Sequence, residues 1–336
     1  MAKTDYIDIL RDIKNKIYKP VYFLMGEEPY YIDVITDYIA ANVLTDSEKE
    51  FNQLVMYGKD TNVLDVINTA KRFPMMAQYQ VVIVKEAQTL DKIDDLHFYV
   101  EKPLKSTILV LNYKYKSLDK RKKLYRDLTQ NGVVFDSERL YDDRIPGWIS
   151  SYLKGKNLSI DLKACSLITD YLGNDLSRIA NELDKLIITL GPGTTTINSA
   201  HVERNIGISK EYNNFELQKA LSQKNIMKAN RIINYFNKNQ KLNPISFTFS
   251  SLYHFFSKVL LYHSIEDKST KNVASVMKVN PYFVEEYRLA AKNYNPAKVV
   301  SIISLLREYD LKSKGFGIVT VTPGSILKEL VYKILH

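Results

Sequence analysis

The chain has 336 residues, 45% of them hydrophobic and 25% charged, enough for two or three domains that each bury a core. That balance excludes wholesale disorder, and the longest apolar runs, such as Val81-Val82-Ile83-Val84, are too short to span a bilayer. The opening dozen residues lack the apolar stretch and cleavage site of a secretory signal, and a lone cysteine, Cys165, excludes an internal disulfide framework; both predict a soluble protein of the reducing cytoplasm.

The net charge of +9 is unevenly placed. Residues 1–140 carry 21 basic and 21 acidic side chains, residues 141–209 carry 7 and 8, and residues 210–336 carry 19 and 9. The excess therefore lies in the last third. It predicts either an anionic partner there, nucleic acid being the commonest, or a Lys-rich solvated surface.

The first part alternates apolar runs with amphipathic stretches, the pattern of an α/β domain. Val21–Met25 predicts a buried strand ending at Gly26, and Pro29 a first helical residue ahead of Tyr31, Ile32, Ile35, Tyr38 and Ile39 at helical spacing. Further strands are expected at Phe51–Tyr57, Gln80–Val84, Thr107–Leu111 and Gly132–Phe135. Between the first two of these, Asp60 or Thr61 would cap a helix burying Val63, Val66, Ile67 and Ala70. Strands separated by helices imply a mainly parallel sheet covered on both faces.

After Pro146 the strand signal stops. Asp161–Leu172 reads as a helix closed by Gly173, and Asp175 caps a second with Leu176, Ile179, Ala180, Leu183, Leu186, Ile187 and Leu190 on one stripe. Gly191-Pro192-Gly193 ends it, and Asn198 opens a short helix. From residue 210 onward helices are expected at Phe215–Leu221, Ile226–Asn237, Pro244–Tyr262, Val273–Met277, Pro281–Asn293, Pro296–Ser313 and Pro323–Leu335.

A strand running through glycine into a helix raises the question of a nucleotide. A phosphate loop needs several glycines, whose N–H groups approach the phosphates, and a Lys-Ser/Thr pair. The turn here, Gly26-Glu27-Glu28-Pro29, has one glycine and two carboxylates where phosphate oxygens would lie. The Val81–Val84 strand leads into Lys85-Glu86, with a cation where a magnesium-binding acid is expected. ATP hydrolysis is not expected. The five histidines lack metal-ligand spacing, so no metal site, cofactor or catalytic residue is expected either. Cys165 lies in an apolar stretch and reads as a buried structural thiol. The basic run Tyr113–Lys123 could track a phosphate backbone with its tyrosines stacked on bases, or be a solvated helix start capped by Asp119 with Leu124 and Leu128 inward.

Three stretches carry a family resemblance. Tyr22-Phe23-Leu24-Met25-Gly26-Glu27-Glu28-Pro29-Tyr30-Tyr31-Ile32 resembles the opening of the delta subunits of DNA polymerase III holoenzyme, the bacterial clamp loader. Gly173-Asn174-Asp175-Leu176-Ser177-Arg178-Ile179-Ala180-Asn181-Glu182-Leu183-Asp184-Lys185-Leu186 resembles that family's G-x-D-L-x-x-I-x-x-E-L-x-K-L helix, and Asn214–Leu221 the start of its last domain. The matches come in family order across nearly the whole chain. The resemblance implies α/β plus all-α architecture: a degenerate AAA+ domain with a RecA-like parallel sheet at 1–140, a small helical lid at 141–209, and a helical collar for oligomerisation at 210–336. Gly26, Glu27 and Glu28 would form a degenerate nucleotide loop.

It further implies a subunit without ATPase activity that binds and opens the ring-shaped sliding clamp (the beta subunit) for loading onto primed DNA in replication. Such subunits are classed with DNA-directed DNA polymerase, a nucleotidyltransferase, as parts of the holoenzyme. The collar would join delta-prime and gamma/tau subunits, the complex would hold primer–template DNA, and no membrane partner is implied. By position, the clamp-binding element falls on Phe73, Met75 and Met76, where the family often has a Leu-Phe-like pair. The residues alone point instead to local core. For DNA, Lys312, Lys314 and Phe316 sit at a glycine-flanked break, where Phe316 could stack on a DNA end or pack on its own domain. Two other readings stand beside this one: an ATP-binding AAA+ subunit, and a helical nucleic-acid-binding protein unrelated to clamps.

Overall fold

A computed structural model describes residues 5–191, 193–206, 212–241, 243–316 and 322–336. The chain divides after Leu140 into two compact units.

The first unit runs α1 (Tyr6–Lys14), β1 (Val21–Gly26), α2 (Pro29–Asn42), α3 (Asp46–Asn52), β2 (Gln53–Tyr57), α4 (Val63–Ala70), β3 (Gln80–Lys85), α5 (His97–Val100), β4 (Thr107–Lys114), α6 (Lys123–Asn131) and β5 (Val133–Ser137). The five strands are parallel in the order β2-β3-β4-β1-β5. The period-2 alternation sorts their side chains onto two cores. Phe23, Met25, Val82, Val84, Leu109 and Leu111 meet α4, α5 and α6 on one face. Tyr22, Leu24, Val81, Ile83, Ile108 and Val110 meet α1 and α2 on the other. A sheet buried on both faces explains why these strands read as continuous apolar runs.

Several boundaries differ from expectation for local reasons. Phe51 and Asn52 are not strand; they finish α3, whose start is fixed by a reciprocal Thr45–Glu48 capping box, with the Thr45 N–H donating to Glu48 at 2.8 Å. Neither Asp60 nor Thr61 caps α4. Asn62 does, accepting from the Asp65 N–H at 3.0 Å. Asp119 caps no helix, binding Arg121 instead, and α6 begins at Lys123 with Leu124 and Leu128 buried.

In the second unit α7 (Ile145–Lys154), α8 (Leu162–Leu172), α9 (Leu176–Thr189) and α10 (Ser199–Ile206) come first. Two-residue strands β6 (Ser159–Ile160) and β7 (Thr196–Ile197), unseen in the sequence, pair in parallel between them. Asp161 and Asp175 cap α8 and α9 through their side chains. The α9 stripe buries Leu176, Ile179, Ala180, Leu183 and Leu186, whereas Ile187 and Leu190 stay at its margin. Pro192 lies outside the described residues.

Then follow α11 (Asn214–Ser222), α12 (Ile226–Lys238), α13 (Ile245–Ser264), α14 (Thr270–Met277), α15 (Val284–Asn293), α16 (Pro296–Ser313) and α17 (Pro323–Leu335). One core spans α11–α13 and α15–α17, with Phe236, Phe256, Tyr294, Leu306, Tyr309 and Leu330 among its buried side chains. No helix of the described residues is long and apolar enough to cross a membrane.

Candidate functional site

In open parallel sheets, ligands gather outside the carboxyl ends of the strands. The carboxyl end of β1 is where a nucleotide would be expected, and there the chain satisfies itself. The Gly26 N–H donates to Lys116 O (3.0 Å), the Glu27 N–H to Ser137 O (2.8 Å) and the Glu28 N–H to the same oxygen (3.3 Å). Glu28 is buried and caps α2, its carboxylate accepting from the Tyr30 N–H at 3.1 Å. The Ser137 hydroxyl closes the knot by donating to Glu28 O at 2.8 Å. Gly26 has φ +120°, and a Cβ there would stand 2.2 Å from Ser137 O, so the glycine serves close strand packing. The donors that would cradle phosphate are engaged by the Lys116 carbonyl, by strand β5 and by a carboxylate that would repel it.

Among the described residues, no group of three or more His, Cys, Asp or Glu side chains could hold a metal ion. Cys165 is buried, and burial pushes its thiol up to about 11, so it is not poised as a nucleophile.

The basic run 113–123 is largely paired. Lys114 meets Asp33 at 2.6 Å, Lys122 meets Asp94 at 2.5 Å, Lys123 meets Glu101 at 3.0 Å and Arg121 meets Asp119 at 2.8 Å. Its Tyr113 packs against Phe23 at a ring separation of 5.5 Å. These contacts support the solvated helix start over a nucleic-acid track.

The turn between α4 and β3 contradicts the expectation of local core. Phe73, Met75 and Met76 are 76%, 63% and 103% exposed. Three large apolar side chains in one four-residue turn form an outward tip, and its backbone is held from two sides. At the root, Gln80 Nε2 lies 3.1, 3.2 and 2.7 Å from the carbonyls of Thr69, Ala70 and Arg72, while Thr107 and Tyr99 also donate to Ala70 O. They occupy the carbonyls that the end of α4 leaves open. Near the crest, the buried Asn52 side chain accepts from the Met75 N–H at 2.6 Å and donates to Met75 O at 2.9 Å. Met76 then takes a left-handed φ of 53°. Sequence reasoning placed the three apolar residues but missed Asn52 and Gln80, which lie 23 and 5 positions from Met75.

The residues considered for DNA are differently placed. Lys312 pairs with Glu308 at 2.5 Å and lies 4.4 Å over the Tyr309 ring, and Lys314 pairs with Asp310 at 2.7 Å. Phe316 is exposed rather than packed on its own domain, and Gly317 lies outside the described residues.

Residues 22–138 match the family model for the delta subunit of DNA polymerase III, spanning the sheet, the Gly26 loop and the apolar tip. DNA polymerase III subunit delta of Bacillus subtilis (strain 168) is 25% identical over 318 residues, covering 91% of each chain. Over these residues the chain is similar to the delta subunits of DNA polymerase III. The solved Bacillus subtilis DNA clamp loader delta protein superposes with a TM-score of 0.58 at 22% identity, covering 98% of this chain and 99% of that one. That likeness shows the fold: a five-stranded parallel sheet covered by helices, followed by an essentially helical unit.

Proposed function

We propose that this chain is a non-catalytic clamp-loader subunit that binds the ring-shaped sliding clamp and holds one of its interfaces open for loading onto primed DNA. The observation that carries this reading is the tip: Phe73, Met75 and Met76 stand in water on a backbone fixed by Asn52 and the Gln80 cluster. Exposed apolar side chains on a rigid turn suit capture by a pocket, where burying each contributes about 1.5–3 kcal/mol. Methionine adapts its unbranched side chain to the pocket it meets. The similarity to subunits named delta of DNA polymerase III and of a DNA clamp loader supports the same partner.

In this reading residues 1–140 hold the clamp, residues 141–209 form the lid, and the collar at 210–336 joins delta-prime and gamma/tau subunits. ATP bound by those partners, not by this chain, governs when the tip meets the clamp. The basic last third faces primer–template DNA, with Phe316 among its exposed aromatics. The deciding experiment mixes the purified chain with its own organism's sliding clamp without nucleotide. A stable complex on size exclusion, lost on Met75→Ala plus Met76→Ala, is expected. Absence of a complex at micromolar concentrations would sink the reading.

A further inference from the structure

We infer that Asn52 is a positioning residue for clamp capture, a side-chain amide that plays the part of a missing neighbouring strand and presets the backbone from which Met75 and Met76 project. The inference rests on the tip being the clamp-binding element.

A primary amide carries one acceptor oxygen and two N–H donors, the same pair of functions a peptide group offers along a ladder. Asn52 spends all of them locally. Its Oδ1 takes the Met75 N–H at 2.6 Å, one Nδ2 hydrogen goes to Met75 O at 2.9 Å, and the other to Glu48 O at 3.1 Å. The last bond ties the amide to its own helix, so it cannot swing away while the first two are made. Helix α3 is itself fixed at its start by the Thr45–Glu48 capping box, so the clasp stands on a rigid base.

What the clasp holds is a conformation the chain would not keep alone. Met76 sits at φ 53°, a region that non-glycine residues enter only when the surroundings over-determine it. Both polar groups of the residue before it are engaged by Asn52, so the turn into that conformation is fixed before any partner arrives. A tip ordered in advance loses less conformational freedom on binding than one that orders in the pocket. Asn52 is buried and stands at the foot of the turn, so it acts through Met75 and Met76 rather than by touching the clamp.

Asn52→Asp tests this in the full-length chain. It keeps an acceptor for the Met75 N–H but removes both donors and sets a carboxylate against Met75 O and Glu48 O. The affinity for the sliding clamp, measured by calorimetry, is expected to fall about 10-fold or more. In Asn52→Leu, which removes the acceptor as well, amide exchange at Met75 should quicken while β3 amides 81–84 keep their protection. The discriminating arm repeats the substitution in a Met76→Ala background, where it should cost a smaller factor because the anchor it positions is gone. The same factor in both backgrounds, or undiminished affinity in Asn52→Asp, overturns the inference. Asn52→Leu provides an uncharged second variant with the same expected loss. If Met75→Ala plus Met76→Ala binds the clamp like the unmodified chain, the tip reading itself fails, whatever Asn52 does.

Discussion

Two side-chain amides and one glycine set the local geometry of the first unit. Asn52 and Gln80 hold the turn that displays Phe73, Met75 and Met76, and Gly26 lets β1 run against Ser137. Truncating the displayed side chains leaves no cavity, so Met75→Ala plus Met76→Ala should abolish clamp binding while shifting Tm by no more than about 1–2 °C. Thermal melts beside a pull-down check both halves. Gly26→Ala should behave in the opposite way, since the new Cβ meets a backbone oxygen and the φ of +120° is hostile to any side chain. A loss of about 2–4 kcal/mol in urea unfolding is expected, the tip remaining competent in whatever fraction stays folded. Asp175 was legible in the sequence as a cap because the N–H it accepts from, that of Arg178, lies three residues on; the packing of Gly26 on Ser137 was not. Nor was Asn52. Its partner is 23 residues away, and nothing in an isolated Phe-Asn-Gln string announces it. The exposure of the tip was hidden for a related reason: an apolar residue is core by default, and only the surrounding fold says otherwise.

The helices of the second unit carry a charged cluster at their junction. Glu216 on α11 is buried between Lys163 of α8, at 2.8 Å, and Lys228 of α12. Burial pushes its carboxyl up, but hydrogen bonds from the two lysines outweigh that and hold it below the usual range. Glu286 of α15 lies nearby and is pushed up to about 7, mainly by burial, with Lys219 opposing and the Glu216 charge assisting. The two carboxylates tilt stability in opposite directions. Glu216 stabilises above the ordinary glutamate range, and its contribution fades as pH falls through its lowered value. Glu286 holds its proton longer in the folded chain, so its burial becomes unfavourable as pH rises from about 4.5 toward 7. Glu286→Gln should therefore raise Tm relative to the unmodified chain at pH 8 and leave the two alike near pH 4.5. Melts across that range would show it, and a difference independent of pH would refute it. The helices themselves followed from caps and 3.6-residue stripes. The β6–β7 pairing did not, because two-residue strands are too short to show a period.

At the scale of the whole chain, a parallel sheet with two covered faces was written plainly, since burial on both faces leaves uninterrupted apolar runs, whereas the strand order β2-β3-β4-β1-β5 was not. The nucleotide loop's satisfaction by Ser137 gives a direct thermodynamic expectation. A ligand present at about 100 times its Kd adds about 2.7 kcal/mol to stability. Millimolar magnesium-ATP should therefore leave the Tm of the purified chain unchanged, and a rise of several degrees would mean that the Glu27–Ser137 and Glu28–Ser137 bonds open to admit phosphate.

The two thioethers at the crest of the α4–β3 turn face solvent, whereas those of Met25 and Met277 are sealed in cores. Peroxide should thus convert the former to sulfoxides well before the latter, replacing two exposed apolar side chains with polar, chiral groups. On the proposed reading of the tip, such oxidation would loosen its hold on a clamp without unfolding the chain, and a methionine sulfoxide reductase would restore it.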